Sequence, residues 1–137
     1  MNELSEVRMI WLAGAIQTGI VLVNGVLPGR LRVRENVKSL PIFLRQIFYV
    51  HWIYIVLTVG LFSALCFGFA RDLAGASALG RFLSGFMGGF WLLRVALQWF
   101  YYDQEVRRGN RWLDALYLAS LIALSFIFAR AVFAPVA

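Results

Sequence analysis

Apolar side chains do not alternate along this chain. They run in four long stretches, each carrying isolated polar residues at helical spacing, at about 8–27, 46–70, 80–102 and 112–134. A helix needs about 20 mainly apolar residues to cross a bilayer, and each stretch supplies them. The segments between carry turn and charge signals: "PGRLRVRENVKSLP", "RDLAGAS" and "DQEVRRGNR". A membrane barrel would show short stretches of strict alternation instead. Backbone in lipid must satisfy its own hydrogen bonds, which helices do within one segment. The pattern therefore predicts an all-α integral membrane protein, a four-helix transmembrane bundle. Residues 1–137 form one domain, with no soluble portion or linker.

Composition agrees. Of 137 residues, 61% are hydrophobic and 15% charged, whereas soluble domains run near half apolar and a quarter charged. The net charge of +6 would point to nucleic acid in a soluble fold. Here basic loops that face the cytoplasm and anionic lipid account for it, and nucleic acid is not an expected partner. The opening "MNELSEVRMIWLAGAIQTGIVLVNGVLP" lacks a basic start and a small-residue cleavage site, so it reads as a retained first helix. Cys66, the single cysteine, sits in an apolar run and reads as a small buried side chain.

Charge sets the expected orientation. Arg30, Arg32, Arg34, Lys38, Arg45, Arg107, Arg108 and Arg111 flank the first and third loops. Arg8, Arg71, Arg81 and Arg130 lie on the other side, and this eight-to-four excess places both loops in the cytoplasm and both termini outside. Trp52, Trp99, Tyr101, Tyr102 and Trp112 cluster near that cytoplasmic boundary, as interfacial aromatics do. A bacterial inner membrane is the expected location. Within the first loop, "RLRVREN" alternates arginine with Leu31 and Val33. It reads either as a strip against lipid headgroups or a partner, or as an ordinary topology-setting loop.

One residue breaks the apolar pattern in "FWLLRVALQWFYYD": Arg94. Near the centre of a span an arginine costs roughly 2.5–3.5 kcal/mol on insertion scales. Neighbouring Leu, Phe and Val residues return about 0.3–0.6 kcal/mol each, so the helix still inserts, but the guanidinium needs acceptors or water. Arg94, Gln98, Tyr101, Tyr102 and Glu105 share one helical face. The second helix offers His51, Tyr54 and Thr58, the first Gln17 and Asn24, and the fourth Asp114, Tyr117 and Ser125. Facing lipid would be costly for these groups, so they are expected to converge. The expected pocket lies in the cytoplasmic half, with Arg94, Gln98, Tyr101, His51, Tyr54, Asn24, Asp114 and Tyr117 as ligand-binding candidates. Arg94 would be its anchor for a phosphate or carboxylate. The competing reading is that the network only orients helices.

Small residues recur four apart: Gly60, Ala64 and Gly68 on the second helix, Gly80, Ser84 and Gly88 on the third, and Ala115, Ala119 and Ala123 on the fourth. Gly85 and Gly89 form another such pair. Such rows let backbones approach closely, within the bundle or in a homo-oligomer.

Enzyme chemistry has little footing. A bis-histidine haem needs two histidines where only His51 exists, and clustered zinc or di-iron ligands are lacking from the spans. No phosphate-binding glycine loop or G-x-S-x-G elbow occurs. No cofactor or metal is expected. The sequence reads best as a small non-enzymatic multi-pass protein. It would bind a lipid, an amphiphilic anion or a partner around Arg94, with membrane lipids as its surroundings. An oligomeric transporter or channel, an accessory subunit of a larger membrane complex, and a membrane enzyme using His51 or Arg94 stay open.

Overall fold

The computed structural model describes residues 2–30, 32–101, 109 and 111–135. It is almost entirely helical: α1 (Glu3–Arg30), α2 (Val33–Lys38), α3 (Ile42–Gly68), α4 (Ala70–Ala74), α5 (Ala78–Phe100) and α6 (Arg111–Phe133). Tyr102, Asp103, Glu105, Arg107 and Arg108, part of the expected third loop and polar face, lie outside the described residues.

Local chemistry explains the boundaries. Glu3 and Glu6 occupy the first turn of α1, where carboxylates complement the helix dipole. Pro28 lacks the amide that would bond one turn back, and α1 runs only to Arg30. Arg32 then takes a left-handed backbone, φ 49°, the one such non-glycine residue among those described. Left-handed geometry costs a non-glycine residue roughly 1–2 kcal/mol, the penalty for reversing the chain so abruptly. Pro41, extended at φ −52° and ψ 146°, precedes α3. At the far end of α3, Phe69 leaves the helical path at φ −129° and the chain drops into α4. The Ser77 side chain accepts from the Gly80 amide at 3.0 Å, satisfying one orphan donor at the start of α5.

The long helices form two antiparallel pairs. In the first, α1 packs on α3 through a close crossing at Gly14, where a Cβ would lie 3.0 Å from the Cys66 Cβ and 3.1 Å from the Phe67 ring. The Gly14 carbonyl oxygen accepts from Ser63 at 2.9 Å and from Thr18 at 3.0 Å, and the two hydroxyls lie 2.7 Å apart. In the second pair, α5 meets α6 where a Cβ on Gly88 would sit 3.2 Å from the Phe128 Cβ.

The pairs join at the end that holds the N-terminus of α1. Leu73 and Ala74 of α4 are buried there, and Ser84 donates to the Leu73 carbonyl at 2.9 Å. Gly80 is obligatory at this joint, because a Cβ would collide with the Asp72 carbonyl oxygen. Phe62 of α3 sets its ring edge-on against Phe90 of α5 at 5.3 Å, and Phe90 does the same against Trp91 at 5.1 Å. Around them Val7, Ile10, Ala13, Cys66, Met87, Leu121, Leu124 and Phe128 complete the core.

Three helices are long and apolar enough to cross a membrane: Glu3–Val26, Ile42–Gly68 and Arg111–Phe133. Only 28%, 22% and 28% of their respective apolar windows are buried within the chain, so most of each faces outward. The fourth expected span corresponds to α5, which is as long as α6 but carries Arg81, Arg94, Gln98 and four glycines among its apolar residues. It does not reach the apolarity of the other three. Helix ends also differ from the sequence reading. α3 begins at Ile42 rather than about residue 46, because Pro41 starts a helix as readily as it ends one.

Candidate functional site between the fifth and sixth helices

Four of the sequence-selected polar residues meet along the α5–α6 seam. The antiparallel pairing of these helices brings positions one turn apart on α5, 94 and 98, against positions about one turn apart on α6, 117 and 114. Arg94 is half-buried, and its Nε donates to the Tyr117 hydroxyl at 3.3 Å. The guanidinium carbon also stands 6.0 Å from the centre of the Tyr117 ring, the outer limit of a cation–π contact. One turn on, Gln98 is 8% exposed and its Nε2 donates to Asp114 Oδ1 at 2.6 Å. The seam therefore holds a cation, a carboxylate, an amide and a phenol in two rungs.

The remaining candidates sit elsewhere. Asn24 donates to its own Ile20 carbonyl at 2.8 Å, and the His51 ring lies 2.9 Å from the Ile47 carbonyl. Both bonds run back one turn along their own helix. Tyr54 is 67% exposed on α3, and Tyr101 is exposed at the C-cap of α5. Thr58 likewise donates to the Tyr54 carbonyl at 2.8 Å. Gln17 is fully buried between α1 and α3, where its Nε2 lies 3.8 Å from the Cys66 sulfur.

The small-residue rows divide by direction. Gly80, Ser84 and Gly88 face inward, against the Asp72 carbonyl, Leu73 and Phe128 respectively. The Gly60, Ala64 and Gly68 row faces outward, and a Cβ on Gly60 or Gly68 would meet nothing within 4 Å.

Two further polar features escaped the sequence reading. Arg130 Nη2 donates to Glu6 Oε1 at 2.6 Å, an ion pair joining α6 to α1. The charge count places Arg130 on the outer side without a partner helix, and its side chain is 30% exposed and that of Glu6 only 8%. The second is the polar crossing at Gly14, whose only sequence signal is a glycine one turn from Thr18 with Ser63 in the next span. Surface depressions lie at this end too. One of about 490 Å³ is lined by α1 and the residue before it, and one of about 230 Å³ lies between Glu3 and the Arg71–Ser77 turn. Neither includes Arg94.

Compared with known protein families, curated proteins and solved structures, the chain matches none.

Proposed function

We propose that this protein is a small four-span membrane protein, not an enzyme, whose Arg94 site binds the anionic head of a lipid or other amphiphile. The observation that carries this reading is the placement of Arg94. It is well inside α5, turned toward α6, and its Nε donates to the Tyr117 hydroxyl. The Tyr117 hydroxyl and ring orient the guanidinium along the α5–α6 seam, and its planar fork suits a carboxylate or phosphate.

The four-span reading is supported by pairing. α5 runs antiparallel to α6 along the stretch from Gly88–Phe128 to Gln98–Asp114. A helix that lines a spanning helix over that length is carried across with it, and its Arg94 and Gln98 side chains are turned onto α6. With the first and third loops cytoplasmic, both termini are outside, and a bacterial inner membrane suits this topology. A second reading is supported by the outward row at Gly60, Ala64 and Gly68. It would make the protein a subunit of a homo-oligomer or of a larger membrane complex.

Native mass spectrometry of gently purified protein beside Arg94→Leu and Arg94→Lys tests the binding reading. A discrete anionic adduct on the native chain should disappear in the leucine variant and weaken in the lysine variant. A folded Arg94→Leu protein that keeps the same adduct would sink the proposal. Its rival, in which Arg94 only holds α5 to α6, requires no adduct on either and a poorly folded variant.

A further inference from the structure

The connection between α1 and α3 is built from two kinds of side chain. α1 ends at Arg30 and α3 begins at Ile42, and both helices are long and apolar enough to cross a membrane. Whatever lies between them sits at a bilayer face. α2 fills that place, with Val37 buried and Val33, one turn earlier, half-buried. Arg34 and Lys38, also one turn apart, are exposed. Arg32, exposed as well, makes only a long i,i+3 approach to Glu35, 3.9 Å with both side chains more than two-thirds exposed. Contacts so exposed neutralise little. Arg45, half-buried in the first turn of α3, adds a further cation beside the same turn. Four cations thus stand against the single carboxylate of Glu35.

Bulky apolar side chains follow directly: Leu40 is 38% exposed, Ile42 67%, Phe43 70% and Leu44 50%. An acidic soluble partner would match the charges and leave these four in water. A leaflet matches both, since its phosphates meet the basic row and its acyl chains meet the apolar one.

We infer that α2 and the start of α3 form a docking surface for anionic phospholipid headgroups, separate from the Arg94 site and independent of what that site binds. The left-handed turn at Arg32 makes the surface, folding α2 back beside α1 instead of letting α1 continue into solvent. Because the row works by charge, its selectivity falls with salt. Side-chain shape matters little to it.

The test uses the full chain reconstituted in phosphatidylcholine with a trace of spin-labelled lipid. The motionally restricted fraction is compared for phosphatidylglycerol and phosphatidylcholine carrying identical chains. The native protein should prefer phosphatidylglycerol several-fold, and high salt should erode the preference. Replacing the row (Arg32→Asn, Arg34→Gln, Lys38→Gln) should bring it close to parity; asparagine tolerates the left-handed backbone. Arg34→Lys should retain the preference. The triple variant should still carry any discrete anionic adduct held at Arg94 in native mass spectrometry, which keeps failure of this surface distinct from failure of the Arg94 site. Equal association of both lipids with the native chain would overturn the inference. So would a triple variant that keeps the full preference, which would move the selectivity to Arg107, Arg108 and Arg111.

Discussion

Arg130 Nη2 donates to Glu6 Oε1 at 2.6 Å across 124 residues of chain, tying the last turn of α6 to the first turns of α1. This contact closes the joint between the two helix pairs at the end where α4 is tucked in. Arg130 Nε is buried beside it without a hydrogen-bonding partner among the described residues, so the guanidinium depends on Glu6 for compensation.

Removing one partner should therefore hurt more than removing both. Losing half of a buried pair costs about 3–5 kcal/mol, and the partial exposure of Arg130 lowers that to roughly 1–3 kcal/mol here. Glu6→Leu and Arg130→Leu should each fall in that range, while the double variant should cost less than their sum. Reversible unfolding in mixed micelles provides the double-mutant cycle, and strict additivity would show that the pair contributes no coupling.

Glycines offer a sharper contrast. Gly80→Ala must push the α4–α5 turn off α5, because its Cβ meets the Asp72 carbonyl, and should cost roughly 1–3 kcal/mol as an overpacking change. Gly60→Ala meets open space within the chain. It should be neutral, or stabilise by about 0.5–1 kcal/mol through helix propensity. Thermal melts of the two variants in detergent decide this. A Gly60→Ala protein that is normal as a monomer but loses a higher-order species would show that a second chain covers the row.

Trp91 is 1% exposed, and its indole Nε1 has no hydrogen-bonding partner among the described residues. Trp91→Phe deletes a buried orphan donor worth about 1–3 kcal/mol to remove, offsetting much of the volume it loses. Trp91→Ala has no such compensation and should cost about 3–5 kcal/mol. A phenylalanine variant as damaged as the alanine one would mean that the indole nitrogen has a partner after all.

How much of this was legible in the sequence follows from the physics of each feature. Long apolar stretches announce helices, and the α3 and α6 spans fall close to where hydropathy puts them. The short helices α2 and α4 leave no periodic signature, because six and five residues are too few to show one. Polar faces were harder. Spacing puts Asn24, His51 and Thr58 on helix faces but does not reveal where their hydrogen bonds go. Each of the three reaches back to a carbonyl one turn earlier on its own helix. That local alternative satisfies a polar group without a partner helix, so convergence is not compulsory. Arginine, glutamine and aspartate reach farther or lack a donor for such a bond. The four residues that do meet, Arg94, Gln98, Asp114 and Tyr117, have side chains suited to reaching across. Pairs such as Glu6 and Arg130 are set by the fold alone, and nothing local marks them.

The Gln98–Asp114 rung bears directly on the Arg94 site. Asp114 takes a 2.6 Å hydrogen bond from a nearly buried amide and places a carboxylate one helical turn from the position opposite Arg94. Asp114→Leu would leave the Gln98 amide unsatisfied, a penalty of about 1–3 kcal/mol. Asp114→Asn keeps an acceptor for that amide and removes the charge, so it should cost less stability than Asp114→Leu. Its effect on binding should then run opposite to its effect on stability. The carboxylate competes with any anion for the positive potential of Arg94, and at an effective dielectric near 20 like charges several ångströms apart still repel by roughly 1–3 kcal/mol. Asp114→Asn should therefore hold an anionic amphiphile several-fold more tightly than the native chain, and Arg94→Leu should abolish that gain. Titration of each variant in nanodiscs with an anionic detergent, followed by Trp fluorescence, measures both effects. An unchanged or weaker affinity in Asp114→Asn would mean that the carboxylate is a ligand-holding group rather than a competitor, and would move the anchor away from Arg94.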